Sequence, residues 1–328
     1  MSFYRRGSKG PEVERIQARL KELNYYRGPV DGDFGGGTES AVKSFQKAKR
    51  LDIDGTVGEK TWSLLFAEEI PTPSLLEKSV AYRCLALTGS FETNAPIPDC
   101  FAGLSGDFDG QGISFGVLQW NLGQGSLQPL LDEMNRKHAR LLRDLLHDHY
   151  PLLVAFLKAS REEQLTWARS IQDPNRYTIF EPWRGLLKGL GRMPEFQEIQ
   201  AAHAEALYQS AQKLCRAYQL GSERAVALMF DILVQNGSIS NIVRAQILHD
   251  YEKIDPGLEE ADAEVARMTI VANRRAEAAN PRWIEDVRAR KLCCARGQGR
   301  VHGIEIDLEN QYGIGLRPAS MKERSGIR

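Results

Sequence analysis

The chain has 328 residues, 42% of them hydrophobic, and its 43 basic side chains balance 43 acidic ones, giving a sequence pI near 7.0. This length is enough for about two domains, and the composition excludes a disordered chain, a collagen-like repeat and a small disulfide scaffold. Because a neutral chain offers no electrostatic footprint for nucleic acid, we expect no DNA or RNA partner.

Membrane and export signals are missing from the sequence pattern. No stretch approaches the ~20 consecutive apolar residues that span a bilayer, and the two arginines near the start are not followed by an apolar run. We therefore expect no integral membrane segment and no signal peptide. Five cysteines, an odd number, favour synthesis in a reducing cytosol.

A motif of Asp-Gly, a second glycine and a threonine occurs twice near the N terminus. The two copies, offset by 23 positions, consist of Asp31, Gly32, Gly35 and Thr38, and of Asp54, Gly55, Gly58 and Thr61. Each Asp-Gly favours a tight turn, and each threonine hydroxyl is expected to cap the helix that follows. Apolar spacing predicts helices from Glu39, from about Trp62 and, earlier, across residues 13–23. The sequence therefore predicts a small three-helix unit.

This unit resembles the peptidoglycan-binding domain found at the ends of many cell-wall hydrolases. The resemblance covers residues 7–66 and is carried by GSKGPEVERIQARLKELNYY, VDGDFGGGT, AVKSFQ and DGTVGEKTW. It implies a module that holds peptidoglycan, without assigning binding to any single residue. We place the module at residues 1–67 and a linker at 68–76, where Pro71 and Pro73 stop a helix and extend the chain.

The rest of the chain has a mainly helical pattern of apolar residues. Predicted helices cover residues 80–87, 127–134, 139–157, 162–170, 201–218, 223–235, 239–251 and 262–279. A glycine-rich turn followed by apolar residues predicts a short β-hairpin at 112–121. The fold class is therefore mainly α: a small three-helix module, then a larger helical domain at 77–316 with an inserted hairpin. The polar tail, 317–328, is expected to be flexible.

Two acidic residues 17 positions apart are candidates for glycosidic-bond cleavage. Glu92 follows an apolar helix, and Asp109 lies in a glycine-rich turn. This chemistry needs one carboxylic acid to protonate the departing oxygen and one carboxylate to activate water or attack carbon. On residue types alone, Asp107 and Asp109 equally fit turn formers or calcium ligands.

The segment DGQGIS at residues 109–114, with the glycines that follow it before an apolar helix, resembles family-46 glycoside hydrolases, the chitosanases. In that family it bears the second catalytic acid. The resemblance implies a lysozyme-like fold, with Glu92 as general acid and Asp109 as general base. Ser114, where the family usually has threonine, would help to hold the attacking water. No metal or other cofactor is required.

A second segment that resembles the same family suggests how the general acid is supported electrostatically. Residues 227–237, ALMFDILVQNG, resemble the central helix of the family, which would place Asp231 in a buried ion network. Arg275, Arg288 and Arg290 are the candidate partners. Such a network would support the acid electrostatically.

Four further residues bear on the substrate. Gln119, Trp120 and Asn121 are candidates to line a sugar groove through amide hydrogen bonds and ring stacking. Ser126 stands where we expect the chitosanases to have an acidic residue that attracts a glucosamine ammonium group. A nearly neutral domain is also a poor match for a polycation, so peptidoglycan fits better than chitosan.

These observations predict a peptidoglycan glycan-strand hydrolase of the muramidase or lysozyme type that cleaves β-1,4 bonds. Carboxyl groups about 6.5–9.5 Å apart would make it inverting. A chitosanase and a non-catalytic wall-binding protein stay open, as does cleavage on the N-acetylglucosamine side. A Cys-His peptidase using Cys84 or Cys100, and a zinc site at His147 and His149, are weaker alternatives.

Delivery to the wall needs a route other than a signal peptide. The chain would be made in the cytoplasm and act in the periplasm or cell wall, either as a phage endolysin released through a holin or as a secreted antibacterial effector. An effector would imply an immunity protein as partner. The sequence does not choose between them.

Overall fold

The computed structural model describes residues 4–51, 53–67 and 74–319. The fold is mainly α, as predicted, and divides into two compact units, Met1–Cys84 with Gln212–Arg328, and Leu85–Ala211. Of the predicted linker at 68–76, residues 68–73 lie outside the described residues, and Ser74–Glu77 forms a short 3₁₀ helix. Within the described residues, no helix combines the length and apolar character needed to cross a bilayer.

The N-terminal module is the predicted three-helix unit. It consists of α1 (Pro11–Glu22), α2 (Gly36–Ala48) and α3 (Glu59–Phe66). The three helices bury a core of their own, which includes Val13, Ile16, Leu20, Phe34, Val42, Phe45 and Trp62. Burying each such side chain contributes about 1.5–3 kcal/mol, which is why helices this short are stable together.

A buried glutamine ties the first Asp-Gly turn to α2. The Gln17 amide nitrogen donates to Asp31 Oδ1 (2.8 Å) and to the Thr38 hydroxyl (3.2 Å), while its oxygen accepts the Gly32 N–H (2.9 Å). A backbone turn is thereby fixed by one side chain from the preceding helix.

Gln46 does the same in the second copy. Its amide nitrogen donates to Asp54 Oδ1 (2.7 Å) and the Thr61 hydroxyl (3.3 Å), and its oxygen accepts the Gly55 N–H (2.9 Å). The sequence repeat is therefore a repeat of one hydrogen-bonded clasp.

The expected threonine caps are wrong. The N-cap residues are Gly35 and Gly58, neither with a side-chain cap, so α2 and α3 begin earlier than at Glu39 and Trp62. Each threonine is the third residue of its helix, and its hydroxyl points to the buried glutamine rather than to the helix N–H groups.

The second unit begins within α4 (Val80–Thr93), which is six residues longer than the predicted helix at 80–87. A small antiparallel sheet follows, built from β1 (Leu104–Ser105), β2 (Ser114–Phe115) and β3 (Trp120–Asn121) in that order. The predicted hairpin at 112–121 is confirmed as β2 and β3. The added strand β1 is only two residues long and carries no alternation that would identify it.

Six α-helices of the described chain complete this unit and lead out of it. They are α5 (Gln128–Leu146), α6 (Tyr150–Lys158), α7 (Arg161–Ser170), α8 (Trp183–Arg192), α9 (Pro194–His203) and α10 (Glu205–Ala217). The predicted helix at 201–218 is confirmed as α10 from Glu205 onward, whereas residues 201–203 belong to α9. The predicted break between 134 and 139 is only a kink at His138 inside α5.

The rest of the first unit is built around a buried helix. It contains α11 (Glu223–Asn236), α12 (Asn241–Tyr251), α13 (Glu260–Glu277), α14 (Ile284–Arg296), β4 (Gln298–Val301), β5 (Ile304–Asp307) and α15 (Leu308–Tyr312). Ten consecutive residues from Glu223 are buried, as expected of a helix surrounded by others. In the predicted tail, the Ala319 N–H donates to the Gly221 oxygen (2.9 Å), and residues 320–328 lie outside the described residues.

The clasp predicts a local loss of stability when it is broken. Gln46→Ala leaves buried partners without hydrogen bonds, so we expect local opening of residues 53–66 to become easier by about 1–3 kcal/mol. Hydrogen–deuterium exchange of the full chain should show faster exchange there. The control is Gln209→Ala, which removes one exposed hydrogen bond to Glu205. Unchanged protection in the Gln46 variant would contradict the role of the clasp.

Candidate active site

Glu92 stands at the exposed end of a buried helix. Glu92 itself is exposed. Apolar residues that precede it in α4 are at most 2% exposed, among them Leu85, Leu87 and Phe91. Gly89 lies so close to Val117 that any Cβ would collide with it. The last turn of α4 is therefore held by packing up to the residue that carries the carboxylate.

The same end of α4 lies against the start of the sheet. A Cβ on Gly103 would come within 3.1 Å of Thr93 Cγ2, the residue next to Glu92. The Gly103 oxygen accepts the Gly116 N–H at 2.8 Å. These contacts place the Glu92 end of the helix beside the sheet that carries Ser114.

Asp109 is presented by the loop between β1 and β2. Its side chain is exposed, and one carboxylate oxygen accepts the Gln111 N–H at 3.0 Å in a local turn. Gly110 and Gly112 adopt φ of 80° and 79°, in the left-handed region that glycine enters without steric cost. The loop thus needs glycine on both sides of Gln111.

Asp107, two residues earlier, has a different environment. Its carboxylate is only 2% exposed; Oδ1 accepts the Gly112 N–H (2.8 Å) and Oδ2 pairs with Arg169 Nε (2.9 Å). Its own N–H donates to the Gln172 side chain at 2.8 Å. Residue types alone do not distinguish these two aspartates, but in the structure Asp107 holds the loop and Asp109 faces solvent.

Ser114 and Asn121 are opposite each other on neighbouring strands. The Asn121 side-chain nitrogen donates to Ser114 Oγ at 3.0 Å, and Asn121 Oδ1 accepts the Gln124 N–H at 3.0 Å. The half-buried serine keeps its own hydroxyl proton for another acceptor. The role of Ser114 in holding a water molecule stays a prediction.

The other predicted groove residues make contacts inside the sheet. The Gln119 amide accepts from Ser105 (2.9 Å) and donates to the Gly116 oxygen (2.9 Å), and Trp120 packs against the core. Ser126 Oγ accepts the Asn121 N–H (2.8 Å). These contacts hold the hairpin, and contact of these residues with a sugar stays a prediction.

Asp231 lies in a buried ion cluster in the first unit. Arg290 Nη2 is 2.6 Å from Asp231 Oδ1, Lys291 pairs with the other oxygen, and Lys291 Nζ donates to Gln235 at 2.6 Å. Burial opposes ionisation of Asp231, but the two cations outweigh it and lower its pKa to about 2.

Two of the three proposed arginine partners lie elsewhere. Arg288 pairs with Glu285 at 2.9 Å, and Arg275 makes no hydrogen bond or ion pair with Asp231 within the described part of the chain. Sequence reasoning missed Lys291. A fully buried lysine is rare unless it is paired, and the partner of Lys291 lies 60 positions away in sequence.

Sequence reasoning also missed exposed aromatic side chains near Asp109. Phe108 is 66% exposed, and Tyr177 and Phe180 are 39% and 48% exposed. The backbone at Gly106 contacts the Tyr177 oxygen so closely that no Cβ would fit, so the two loops lie side by side. Exposed rings of this kind present apolar faces that can pack on sugars.

The alternative nucleophiles do not have suitable environments. Burial raises the pKa of Cys100 to about 12 and that of Cys84 beyond its ordinary range, so both thiols stay protonated. His149 packs edge-on against Trp183 at 5.3 Å. No group of three or more His, Cys, Asp or Glu among the described residues is arranged to hold a metal ion.

Comparison with known proteins identifies the module. Residues 9–65 match the family described as "Putative peptidoglycan binding domain". The spore cortex-lytic enzyme of Bacillus cereus is 45% identical over 60 residues, which is 18% of this chain and 23% of that protein. The chain therefore spans less than a quarter of the length of this curated relative.

Two further similarities extend beyond the module. The type VI secretion system spike protein VgrG3 of Vibrio cholerae is 27% identical over 152 residues, which is 42% of this chain and 15% of that protein. The solved structure of a chitosanase from Bacillus subtilis MY002 is 18% identical, with 70% of this chain and 99% of that chain covered and a TM-score of 0.40.

The ion cluster predicts a large loss of stability on substitution. Asp231→Asn leaves Lys291 and Arg290 buried without their counter-charge, so we expect the free energy of unfolding to fall by roughly 3–5 kcal/mol in urea denaturation. Asp132→Asn, which breaks an exposed pair with Arg136, is the control and should cost about 0.5 kcal/mol or less.

The same cluster has a defined pH dependence. Because the folded pKa of Asp231 is depressed, its contribution is complete above about pH 4 and is lost as the pH falls towards 2. If Asp231→Asn and Asp132→Asn lost the same free energy of unfolding, the assignment of a buried ion cluster to Asp231 would be contradicted.

Proposed function

We propose that this chain hydrolyses the β-1,4-linked glycan strands of peptidoglycan, as a muramidase-type glycoside hydrolase. The observation that carries the proposal is a pair of exposed carboxylates, Glu92 and Asp109, on elements that pack together within one compact unit. The peptidoglycan-binding module supports the polymer class, and a spore cortex-lytic enzyme shares that module.

The two carboxylates take different parts in the reaction. Glu92, as the acid, gives its proton to the departing glycosidic oxygen as the bond from that oxygen to the anomeric carbon breaks. A water molecule forms the new bond to this carbon and passes its proton to Asp109. Ser114 Oγ, positioned by Asn121, holds that water. Attack from the face opposite the leaving group inverts the anomeric configuration.

Several features support peptidoglycan over chitosan. Ser126 provides no charge to attract a glucosamine ammonium group, and its hydroxyl is committed to the backbone of Asn121. The chain has no net charge, whereas a polycation favours an acidic surface. Chitosanase activity and wall binding without catalysis are the second and third candidates.

Similarity to the spike protein favours one delivery route. The 152-residue match is longer than the module, so it includes residues of the helical part. We therefore favour a secreted antibacterial effector, with an immunity protein as partner in the producing cell, over a phage endolysin. Either would be made in the cytoplasm and act in the periplasm or wall.

Removing the acid should abolish cleavage but not binding. For Glu92→Gln we expect a loss of at least about 100-fold in new reducing ends from purified peptidoglycan, because the amide cannot donate the proton. Borohydride reduction and mass spectrometry identify the ends; reduced N-acetylmuramic acid from the wild type indicates a muramidase.

The matched control is Glu162→Gln, an exposed glutamate in α7 of the same unit. It should cleave like the wild type. Full activity of Glu92→Gln would contradict the assignment of the acid. Wall binding with no new ends from the wild type would favour the non-catalytic or chitosanase alternatives.

Loosening the Asp109 loop should slow catalysis without changing substrate binding. Asp107→Asn removes the negative charge that pairs with Arg169 and weakens the hydrogen bond from the Gly112 N–H. We therefore expect kcat to fall roughly 10- to 100-fold. KM for soluble glycan fragments should stay nearly unchanged. Asp99→Asn, which breaks an exposed pair with Arg192, is the control. A rise in KM with kcat unchanged would show that Asp107 does not position the base.

A further inference from the structure

The two copies of the clasp differ in the length of chain between glutamine and aspartate. Asp31 follows Gln17 by 14 positions, whereas Asp54 follows Gln46 by 8. The shorter copy holds its turn with the same hydrogen bonds. The six extra residues of the first copy are therefore not needed to fold the turn.

The extra chain forms a defined loop. The Tyr26 hydroxyl donates to the Pro29 oxygen at 2.9 Å, and Gly28 lies so close to the Tyr26 ring that a side chain there would collide with it. Tyr26 is 8% exposed, and Tyr25 packs edge-on against Phe45 at 5.5 Å. The loop is ordered by its own contacts, as a preformed binding surface would be.

This loop is one wall of a cavity of about 660 Å³. Residues 25–29 face the turn at Asp31 and Asp33 and the first two turns of α2 as far as Ser44. The volume falls within the ~300–1,000 Å³ usual for ligand sites. The longer connection of the first copy thus creates a concave site.

Among the described residues that line the cavity, one cation has no counter-charge. Asp33 pairs with Lys9 at 2.6 Å, and Asp31 accepts from Gln17 and from the Asp33 N–H. The Arg27 guanidinium makes no hydrogen bond or ion pair to any residue that the structure describes. The cavity therefore presents the Arg27 guanidinium beside two carboxylates, Asp31 and Asp33, that already have partners within the module.

The Asp31 carboxylate remains a hydrogen-bond acceptor at neutral pH. Hydrogen bonds from the Asp33 N–H and from Gln17 lower its pKa below the usual value. A matching ligand has one carboxylate for Arg27 and N–H or O–H groups for Asp31. A neutral glycan has no group for Arg27, and a polyanion would be repelled by the aspartates.

We propose that this cavity binds the muramyl-peptide part of peptidoglycan, with Arg27 on a peptide carboxylate and Asp31 accepting from amide or hydroxyl groups. The inference rests on the proposed role of the module in holding peptidoglycan. It assigns recognition to the junction of sugar and peptide, whereas Glu92 and Asp109 act on the glycan bond.

The test is binding of N-acetylmuramyl-L-alanyl-D-isoglutamine to the full chain, followed by backbone-amide NMR and titration calorimetry. We expect amide shifts within residues 25–44 and a Kd about 10-fold higher for Arg27→Gln, equivalent to about 1.4 kcal/mol. Arg50→Gln is the matched control, because Arg50 is exposed at the corresponding end of α2 and outside the cavity. Ser40→Trp should also block binding, by filling the cavity with the charge intact.

Three results would overturn the proposal. They are shifts outside residues 25–44, equal affinity of Arg27→Gln and the wild type, and equally tight binding of neutral tetra-N-acetylglucosamine. Binding and release of reducing ends are measured separately. A cavity that fails to bind leaves hydrolysis by Glu92 intact, and a chain that fails to hydrolyse leaves the cavity result intact.

Discussion

The buried carboxylate of Asp107 is the contact on which the candidate site depends. One oxygen fixes the Gly112 N–H and the other pairs with Arg169, so the loop that carries Asp109 is closed by hydrogen bonds at its base. A buried acid is costly unless every lone pair finds a donor. Here hydrogen bonds meet that requirement at the base of the loop, while Asp109, two residues later, is exposed beside a sheet against which the Glu92 end of α4 packs.

The proposed binding and the proposed cleavage depend on different structural features of this chain. The module duplicates one glutamine clasp and extends it in the first copy into an ordered loop with an unmatched Arg27. The second unit instead uses a packed helix end and a glycine-rich loop to hold two carboxylates. Under the proposed function, weak binding by the module would raise the local concentration of glycan for the unit that carries Glu92 and Asp109, so neither site would need high affinity by itself.

Local signals predicted the parts of the structure that are determined locally. Repeated Asp-Gly turns and apolar spacing predicted the three-helix module, and glycines with apolar neighbours predicted the β2–β3 hairpin. Contacts between distant residues were predicted only where the family resemblance supplied them, as for Asp231 and Arg290. Asp107 pairs with Arg169, 62 positions away, and Lys291 pairs with Asp231, 60 positions away. The three glycines of α8 weakened its helical pattern.

The stereochemistry of the first product tests the central claim most directly, because it reports whether a water molecule fits between Glu92 and Asp109. Proton NMR during the first turnovers on a soluble peptidoglycan fragment should show the α-anomer of the new reducing end before mutarotation. Asp109→Asn should release either anomer far more slowly than the wild type does. A product that begins as the β-anomer would mean that a carboxylate attacks carbon directly, which would contradict the account.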